Sequence, residues 1–211
     1  MKRAKFEDKN VVVDILTKSF INDPHINFLL EKSKNKNKLS IIMEYVFEES
    51  FYKGEIYLNE DNTAVALWNT STKEKFSWRY IYRNLSFLLR VGFDSTCRIL
   101  KMDKLVHKHH PRTGQFAHLY TIGVLPESQG KGYAKQLINF MIEKMSSTKS
   151  TLYLETANST NIGIYNKIGF HVFHTIDVDG HKLFCMNRKY CWMCWITPVL
   201  LAYSLKRCFG E

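Results

Sequence analysis

Two glycines and a lysine in one polar loop are the residues of this chain best suited to bind an anion. In the segment "LPESQGKGYAKQL", Gly130 and Gly132 flank Lys131, and a helical pattern follows at once. A helix N-terminus carries unpaired N–H groups and a partial positive charge, and small residues let an anion come close to them. This loop offers backbone N–H groups as hydrogen-bond donors to a phosphate; they belong to Gly130, Lys131, Gly132, Tyr133 and Ala134. An ordinary strand-to-helix connection is the alternative, and the loop by itself does not decide between them.

Two common nucleotide-binding motifs do not fit this loop. A P-loop requires G-x-x-x-x-G-K-[ST], which does not occur in the sequence. A dinucleotide fingerprint requires a small residue three positions after its second glycine, where this chain has Lys135. The loop must therefore be judged from the elements around it.

The second half of the chain predicts an α/β layout around the loop. Its predicted elements are, in order, a strand over 116–124, the loop, a helix from Ala134 to Met145, a strand over 151–155, a short helix that starts near Asn158, a strand from Phe170, a turn at Asp179-Gly180 and a last strand through Met186. Strands that alternate with helices in this way form a sheet that carries helices.

The first half is predicted to be mostly helical, with one hairpin. Its predicted elements are a helix capped by Asp8 and ended at Asp23-Pro24, a helix over 41–52, a hairpin of strands 55–58 and 63–68, and helices over 78–93 and 96–107. The basic run "EKSKNKNK", residues 31–38, is predicted to be a solvated loop.

Two motifs of the second half, taken together, resemble the GNAT superfamily of N-acetyltransferases. The first motif is [Q/R]-x-x-G-x-[G/A], matched by Gln129, Gly132 and Ala134. The second is an asparagine, a tyrosine and a Gly-Phe pair, matched by Asn158 or Asn161, Tyr165 and Gly169-Phe170. The segment 118–189 looks most similar to the branch that contains puromycin N-acetyltransferase, whereas the first hundred residues match only in general layout.

The resemblance implies an α/β fold with a GNAT-like mixed, mostly antiparallel sheet, splayed between two central strands, with helices on both faces. It also implies that acetyl-CoA enters the wedge between those strands as the acetyl donor. The pantetheine arm would pair with the backbone of Ile122, Gly123 and Val124. The pyrophosphate would lie on the loop from Gln129 to Ala134.

The resemblance also assigns roles around the thioester. Asn161, or Asn158 in its place, would hydrogen-bond the cofactor arm, and Tyr165 would lie beside the sulfur. Tyr165 would protonate the leaving thiolate: tyrosine, with a reference pKa of about 10, holds its proton at neutral pH and can donate it to a thiolate whose conjugate thiol has a pKa of about 8.5. A backbone N–H near Val124 would stabilise the oxyanion. The alternative for Tyr165 is a core residue whose hydroxyl is bonded within the fold.

The proton acceptor for the attacking amine has two candidate side chains, and ordered water is a third route. His118 lies where relatives commonly carry a carboxylate, and a histidine is mostly neutral at pH 7. Glu155, at the end of the next strand, is its rival. Strict alternation would place His118, Tyr120, Ile122 and Val124 on one face, unless the bulge that the family often has in this strand intervenes.

The composition predicts one folded domain. The chain has 211 residues, 45% of them hydrophobic and 24% charged, which are values of a globular protein. Residues 1–189 are therefore predicted to be a single N-acetyltransferase domain, in which 1–115 shape the acceptor site and 116–189 bind acetyl-CoA. Residues 190–211 form an apolar tail whose hydrophobic stretch is shorter than the roughly 20 residues of a spanning helix.

Partners and compartment are expected as follows. Packing of the tail on the domain or on a second copy in a homodimer is preferred, and membrane-surface contact is the second choice. The net charge of +10 favours an anionic ligand, but no RNA-binding motif appears, so no nucleic acid is expected. The odd number of cysteines and an N-terminus unlike a signal peptide predict a cytoplasmic protein. His107, His109 and His110 are interpreted as a solvated loop, with a metal site as the alternative, and no metal is expected.

The preferred function is an acetyl-CoA-dependent N-acetyltransferase that acts on a small-molecule primary amine. A protein or peptide N-acetyltransferase and a non-catalytic acyl-CoA-binding protein are the alternatives. The aromatic residues Phe76, Trp78, Tyr80 and Tyr82 are expected to line a pocket for an amphipathic or planar amine.

Overall fold

The computed structural model describes residues 1–30, 36–70, 77–110, 116–148 and 150–189, and the apolar tail 190–211 lies outside them. The strands are β1 (Lys2–Arg3), β2 (Gly54–Leu58), β3 (Ala64–Asn69), β4 (Phe116–Val124), β5 (Thr151–Thr156), β6 (His171–Val178) and β7 (His181–Arg188). The helices are α1 (Lys9–Ser19), α2 (Pro24–Leu29), α3 (Lys36–Lys53), α4 (Trp78–Val91), α5 (Phe93–His107), α6 (Tyr133–Lys144) and α7 (Ser159–Asn166). None of the helices within these ranges is long and apolar enough to cross a bilayer.

These strands form one sheet in the order β1-β2-β3-β4-β5-β7-β6. Every neighbouring pair is antiparallel except β4 and β5, which run parallel. A parallel pair needs a crossover connection, and α6 supplies it. The predicted mixed, mostly antiparallel sheet is therefore confirmed.

Helices cover both faces because the central strands are apolar on both sides. Every residue of β3 is buried. Val65 and Leu67 pack in a core with α1 and α3, whereas Ala66 and Trp68 pack in a second core with α6. This is the pattern of a strand covered on both faces.

Three helix boundaries differ from the prediction. Pro24 begins a helix instead of ending one, because the Asp23 side chain accepts bonds from the backbone N–H of His25 and Ile26 and proline is tolerated in the first turn. Helix α3 begins at Lys36, so the end of the run 31–38 is helical rather than a loop. The break between α4 and α5 falls at Gly92, whose φ of +97° glycine adopts readily.

The start of α1 is where the sequence predicts it, but Asp8 does not cap that helix. Its carboxylate accepts a bond of 2.8 Å from the backbone N–H of Lys5 and pairs with Lys2, so it closes the preceding turn instead.

Candidate active site

A gap opens in the sheet between β4 and β5. The two strands pair from Phe116 opposite Thr151 to Leu119 opposite Leu154, and the pairing stops there. Strand β4 continues to Val124 against β3, while the end of β5 pairs with β7. The two central strands therefore splay apart beyond Leu119, as the prediction requires.

A bulge in β4 changes which side chains share a face. Leu119 lies opposite Trp68 and Thr121 opposite Leu67, so Tyr120 is the extra residue. Tyr120 packs with the core under α1 and α3, whereas Ile122 and Val124 pack with the core under α6. Strict alternation, which would place all of them beside His118, is therefore wrong for the residues beyond the bulge.

The backbone of β4 presents hydrogen-bonding groups to the gap. Alternate residues of an antiparallel strand turn these groups to opposite neighbours. Leu125 N donates to Thr63 O, which fixes the register of the pair. The backbone N–H and C=O of Gly123 therefore point toward β3, and those of Ile122 and Val124 point toward the gap. The carbonyl of Val124 accepts bonds from Ser19 Oγ at 2.9 Å and Gln129 Nε2 at 3.2 Å.

The glycine loop ends at the N-terminus of α6 in a conformation that only glycine adopts at low cost. Gly130 has a φ of +78° and Gly132 one of +82°. Apart from Gly132 and its two neighbours in the chain, no atom of the described residues lies within 4 Å of the place that a Cβ of Gly132 would occupy. Lys131 is exposed, and the Tyr133 hydroxyl donates to Asp61, so the side chain of Tyr133 turns away from the helix end. An anion can therefore approach the first N–H groups of α6.

Helix α7 carries the second motif. Asn158 is the N-cap, and its Oδ1 accepts a bond from Thr160 N at 3.0 Å. This bond gives Asn158 a structural role, whereas Asn161 lies one turn further on. Tyr165 is buried against Phe170, and burial raises the pKa of Tyr165 to about 12. Its hydroxyl therefore keeps its proton at neutral pH.

His118 and Glu155 form a hydrogen-bonded pair next to the gap. His118 Nε2 lies 2.7 Å from Glu155 Oε2, and both side chains are almost completely buried. Burial raises the pKa of Glu155, but the positive charge that His118 carries when protonated and the hydrogen bond between the two side chains lower it by more, so the net shift is downward. The two residues that the sequence offers as rivals therefore lie in contact, with Glu155 ionised.

A cavity of about 350 Å³, counted to its open mouth, lies beside this pair. Its walls include His118 and Tyr120 from β4, Glu49 from α3, and Asp103 and His107 from α5. Glu49 accepts a bond of 3.0 Å from the Tyr120 hydroxyl. A hydrogen bond to Asp103, 3.2 Å away, raises the pKa of His107 to about 9.

The sequence did not identify Glu49 and Asp103 as site residues. They lie on helices whose amphipathic patterns predict where each helix lies in the chain. Those patterns do not predict which polar side chain faces a cavity.

Two expectations about this region are wrong. His110 is not a solvated loop residue, because only 9% of its side chain is exposed and its ring packs against those of His118 and Tyr153. The aromatic residues of α4 do not line the cavity: Trp78 is 83% exposed and Tyr82 is 74% exposed. Phe76 lies outside the described residues.

Comparison with known proteins agrees with this geometry. The chain is 24% identical over 181 residues, 80% of its length, to an uncharacterized N-acetyltransferase of Schizosaccharomyces pombe, of which it covers 73%. Its fold is similar to that of a histone acetyltransferase HPA2 and related acetyltransferase from Corynebacterium glutamicum, with a TM-score of 0.67, 21% identity and coverage of 91% and 97%. It is also similar to arylalkylamine N-acetyltransferase 2 from Aedes aegypti, with a TM-score of 0.62, 14% identity and coverage of 89% and 97%.

The family assignment rests on the central part of the chain. The family model of the acetyltransferase (GNAT) family matches residues 56–170, more than half of the sequence. This match includes the gap between β4 and β5, the glycine loop and α7. The chain therefore belongs to the acetyltransferase (GNAT) family and is an acetyl-CoA-dependent acetyltransferase.

Proposed function

We propose that this acetyltransferase transfers the acetyl group to a primary amine of a small molecule by direct attack of the amine on the thioester. The observation that carries the proposal is the cavity beside the splayed strands, with the buried pair of His118 and Glu155 at its wall. An amine bound there would lie between a proton acceptor and the gap.

The residues at the gap fit acetyl-CoA, which supplies an acetyl thioester when bound. The open approach at Gly132 leaves room for a phosphate at the N-terminus of α6, where backbone N–H groups and the helix dipole favour an anion. Ile122 and Val124 turn backbone groups to the gap and would pair with the pantetheine amides. Gly123 turns its groups toward β3, and we assign it no such bond.

The exposed loop residues Gln129, Gly130 and Lys131 complete the anion site in this proposal. Gln129 holds the carbonyl of Val124, which fixes the end of β4 relative to the loop. Lys131 adds a charge that is free to move in solvent. We assign the remaining contact with the cofactor arm to Asn161, because Asn158 caps α7.

His118 acts as the proton acceptor in this proposal, and Glu155 positions it. An ionised carboxylate that accepts a bond from one imidazole nitrogen fixes the ring and leaves the other nitrogen to accept a proton. The same carboxylate stabilises the imidazolium that forms. Glu155 itself is a poor base, because its pKa is lowered.

Tyr165 supplies the proton that the departing thiolate needs. Its pKa of about 12 means that the hydroxyl is fully protonated at pH 7 and can donate. The high pKa also makes the Tyr165 hydroxyl a weaker acid. Its contribution to the rate therefore depends on its contact with the sulfur rather than on its acidity.

The polar wall of the cavity is compatible with a small amine acceptor. The carboxylates of Glu49 and Asp103 already have partners in Tyr120 and His107, so the wall is polar without a large uncompensated charge.

Thiol release from acetyl-CoA, measured with the full chain across matched panels of small amines and short peptides, tests the proposal. We expect the higher kcat/KM with small amines. Higher kcat/KM with peptides would favour the peptide acetyltransferase alternative. Tight acetyl-CoA binding without release on any acceptor would favour a non-catalytic acyl-CoA-binding protein.

A further inference from the structure

Three side chains from three separate elements converge next to the cavity. His110 follows the end of α5, His118 lies on β4 and Glu155 on β5. One ligand atom from each lies within 4.8 Å of the other two. The ring of His110 has its centroid 4.9 Å from that of His118, and His110 Nε2 lies 3.8 Å from Glu155 Oε1.

Several polar atoms of this cluster are buried without a hydrogen bond. Within the described part of the chain, neither ring nitrogen of His110 has a hydrogen-bond partner, and neither do Glu155 Oε1 and the Tyr153 hydroxyl. The distance of 3.8 Å between His110 and Glu155 is too long for such a bond. Buried polar groups are nearly always satisfied in folded proteins, so this set of atoms requires a partner that the protein itself does not supply, either ordered water or a bound ligand.

The donor set selects the chemistry of that ligand. Two imidazoles and one carboxylate suit Zn²⁺ and other divalent transition metals, whereas Mg²⁺ and Ca²⁺ prefer sites made of oxygen alone. Zinc bound at about 2.0–2.2 Å with tetrahedral angles places its ligand atoms about 3.4 Å apart. The separations from Glu155 to His118 and to His110, 2.7 Å and 3.8 Å, lie on either side of that value, and all three ligand atoms lie within 4.8 Å of one another, so side-chain rotations would bring them to an ion.

We propose that His110, His118 and Glu155 form a binding site for a divalent transition-metal ion. The cavity wall includes both histidines, so the ion reaches the site from solvent and keeps a coordination position that faces the cavity. The ion replaces the proton between His118 and Glu155 and gives His110 the partner that it lacks.

The site overlaps the machinery of the proposed function, and this consequence rests on that function. A metal ion and an amine proton require the same pair of side chains, since zinc bound to His118 and Glu155 ends their hydrogen bond. Zinc therefore inhibits acetyl transfer, and the fraction of active protein falls as the metal site fills.

Calorimetric titration of the full chain with ZnCl₂ tests the site directly. We expect one ion per chain, and binding at least about tenfold weaker in His110→Ala, which removes one ligand. The matched control is His171→Ala, which removes an exposed histidine of β6 and should bind zinc as the natural chain does. Titration with Co²⁺ should give the visible absorption bands that are typical of a cobalt ion with a low coordination number. We expect these bands in the natural chain and in His171→Ala only.

Equal zinc affinity in the natural chain and His110→Ala would overturn the proposal. An equal loss of zinc affinity in His110→Ala and His171→Ala would also overturn it. Thermal melting of each variant without metal separates misfolding from the loss of a ligand, and His110→Phe repeats the test if His110→Ala does not fold. The activity arm compares acetylated product with and without zinc within each variant. Zinc binding without inhibition would refute only the overlap with catalysis, and binding without any acetyl transfer would refute only the proposed function.

Discussion

One step of the proposed reaction depends on a single group, the hydroxyl of Tyr165. Tyr165→Phe keeps the ring that packs against Phe170 and removes the proton donor. We expect kcat to fall about 10²–10⁴-fold, the usual range for a general acid, while acetyl-CoA affinity stays near that of the natural chain. Steady-state rates and calorimetry measure the two quantities. Tyr57→Phe is the matched control, because the hydroxyl of Tyr57 bonds to Glu55 and Lys144 away from the gap. An equal fall in both variants would contradict the role of Tyr165.

The contact between His118 and Glu155 predicts unequal effects of two substitutions. His118→Gln leaves a polar partner for the buried Glu155 but no proton acceptor, so we expect a fall in kcat of about 10²-fold or more. Glu155→Gln still accepts a bond from His118 but loses the charge that stabilises an imidazolium, so a smaller fall is expected. Single-turnover rates with saturating acetyl-CoA measure both. The reverse order would make Glu155 the base, and no fall in either would assign deprotonation to water.

At the scale of elements, the glycine loop is defined by backbone conformation. Gly132→Val forces a residue with a Cβ into a φ of +82° and fills the space beside the α6 N-terminus. We expect acetyl-CoA affinity to fall at least about tenfold, the loss of one charge-assisted hydrogen bond. Gly180→Val is the matched control: Gly180 has a φ of +80° in the turn between β6 and β7, with the same strain and no ligand. Equal affinity in the two variants, measured by calorimetry, would contradict the phosphate site.

The sequence predicted elements better than it predicted contacts between them. The strands around the gap, the glycine loop and α7 were predicted within a few residues, because hydrophobic periodicity and turn residues are local signals. A bulge in β4 was anticipated only from the family resemblance, and its position at Tyr120 and the burial of His110 were not predicted, since both depend on how β4 packs against its neighbours. A one-residue bulge reverses every later side chain of a strand, so an alternation argument holds only up to it. The contact between His118 and Glu155 likewise follows from the parallel register of β4 and β5.

At the scale of the whole molecule, stability depends on pH through a histidine pair that joins α2 to β7. His25 Nδ1 and His181 Nε2 lie 2.9 Å apart, so one donates and the other accepts. Burial and then the charge of His181 lower the pKa of His25 to about 4, and burial also lowers the pKa of His181. Phe28 stacks on the ring of His181, which keeps water from that side. The acidic groups that act on the pair, Asp23 and Asp177 on His181 and Glu155 on His25, do not reverse these shifts.

The sign of the resulting pH dependence follows from the unfolded chain. There His25 has a pKa near 6.5 and binds a proton that the folded protein excludes until about pH 4, so stability falls as the pH decreases through this window. Between pH 6.5 and 5, above the range of most carboxylates, the loss from His25 is about 2 kcal/mol. Urea unfolding at these two pH values measures it. His25→Gln has no proton to bind and should show a smaller loss over the same interval. A loss of the same size in that variant would show that other groups cause the pH dependence, and stability that rises as the pH falls would contradict the burial of a neutral His25.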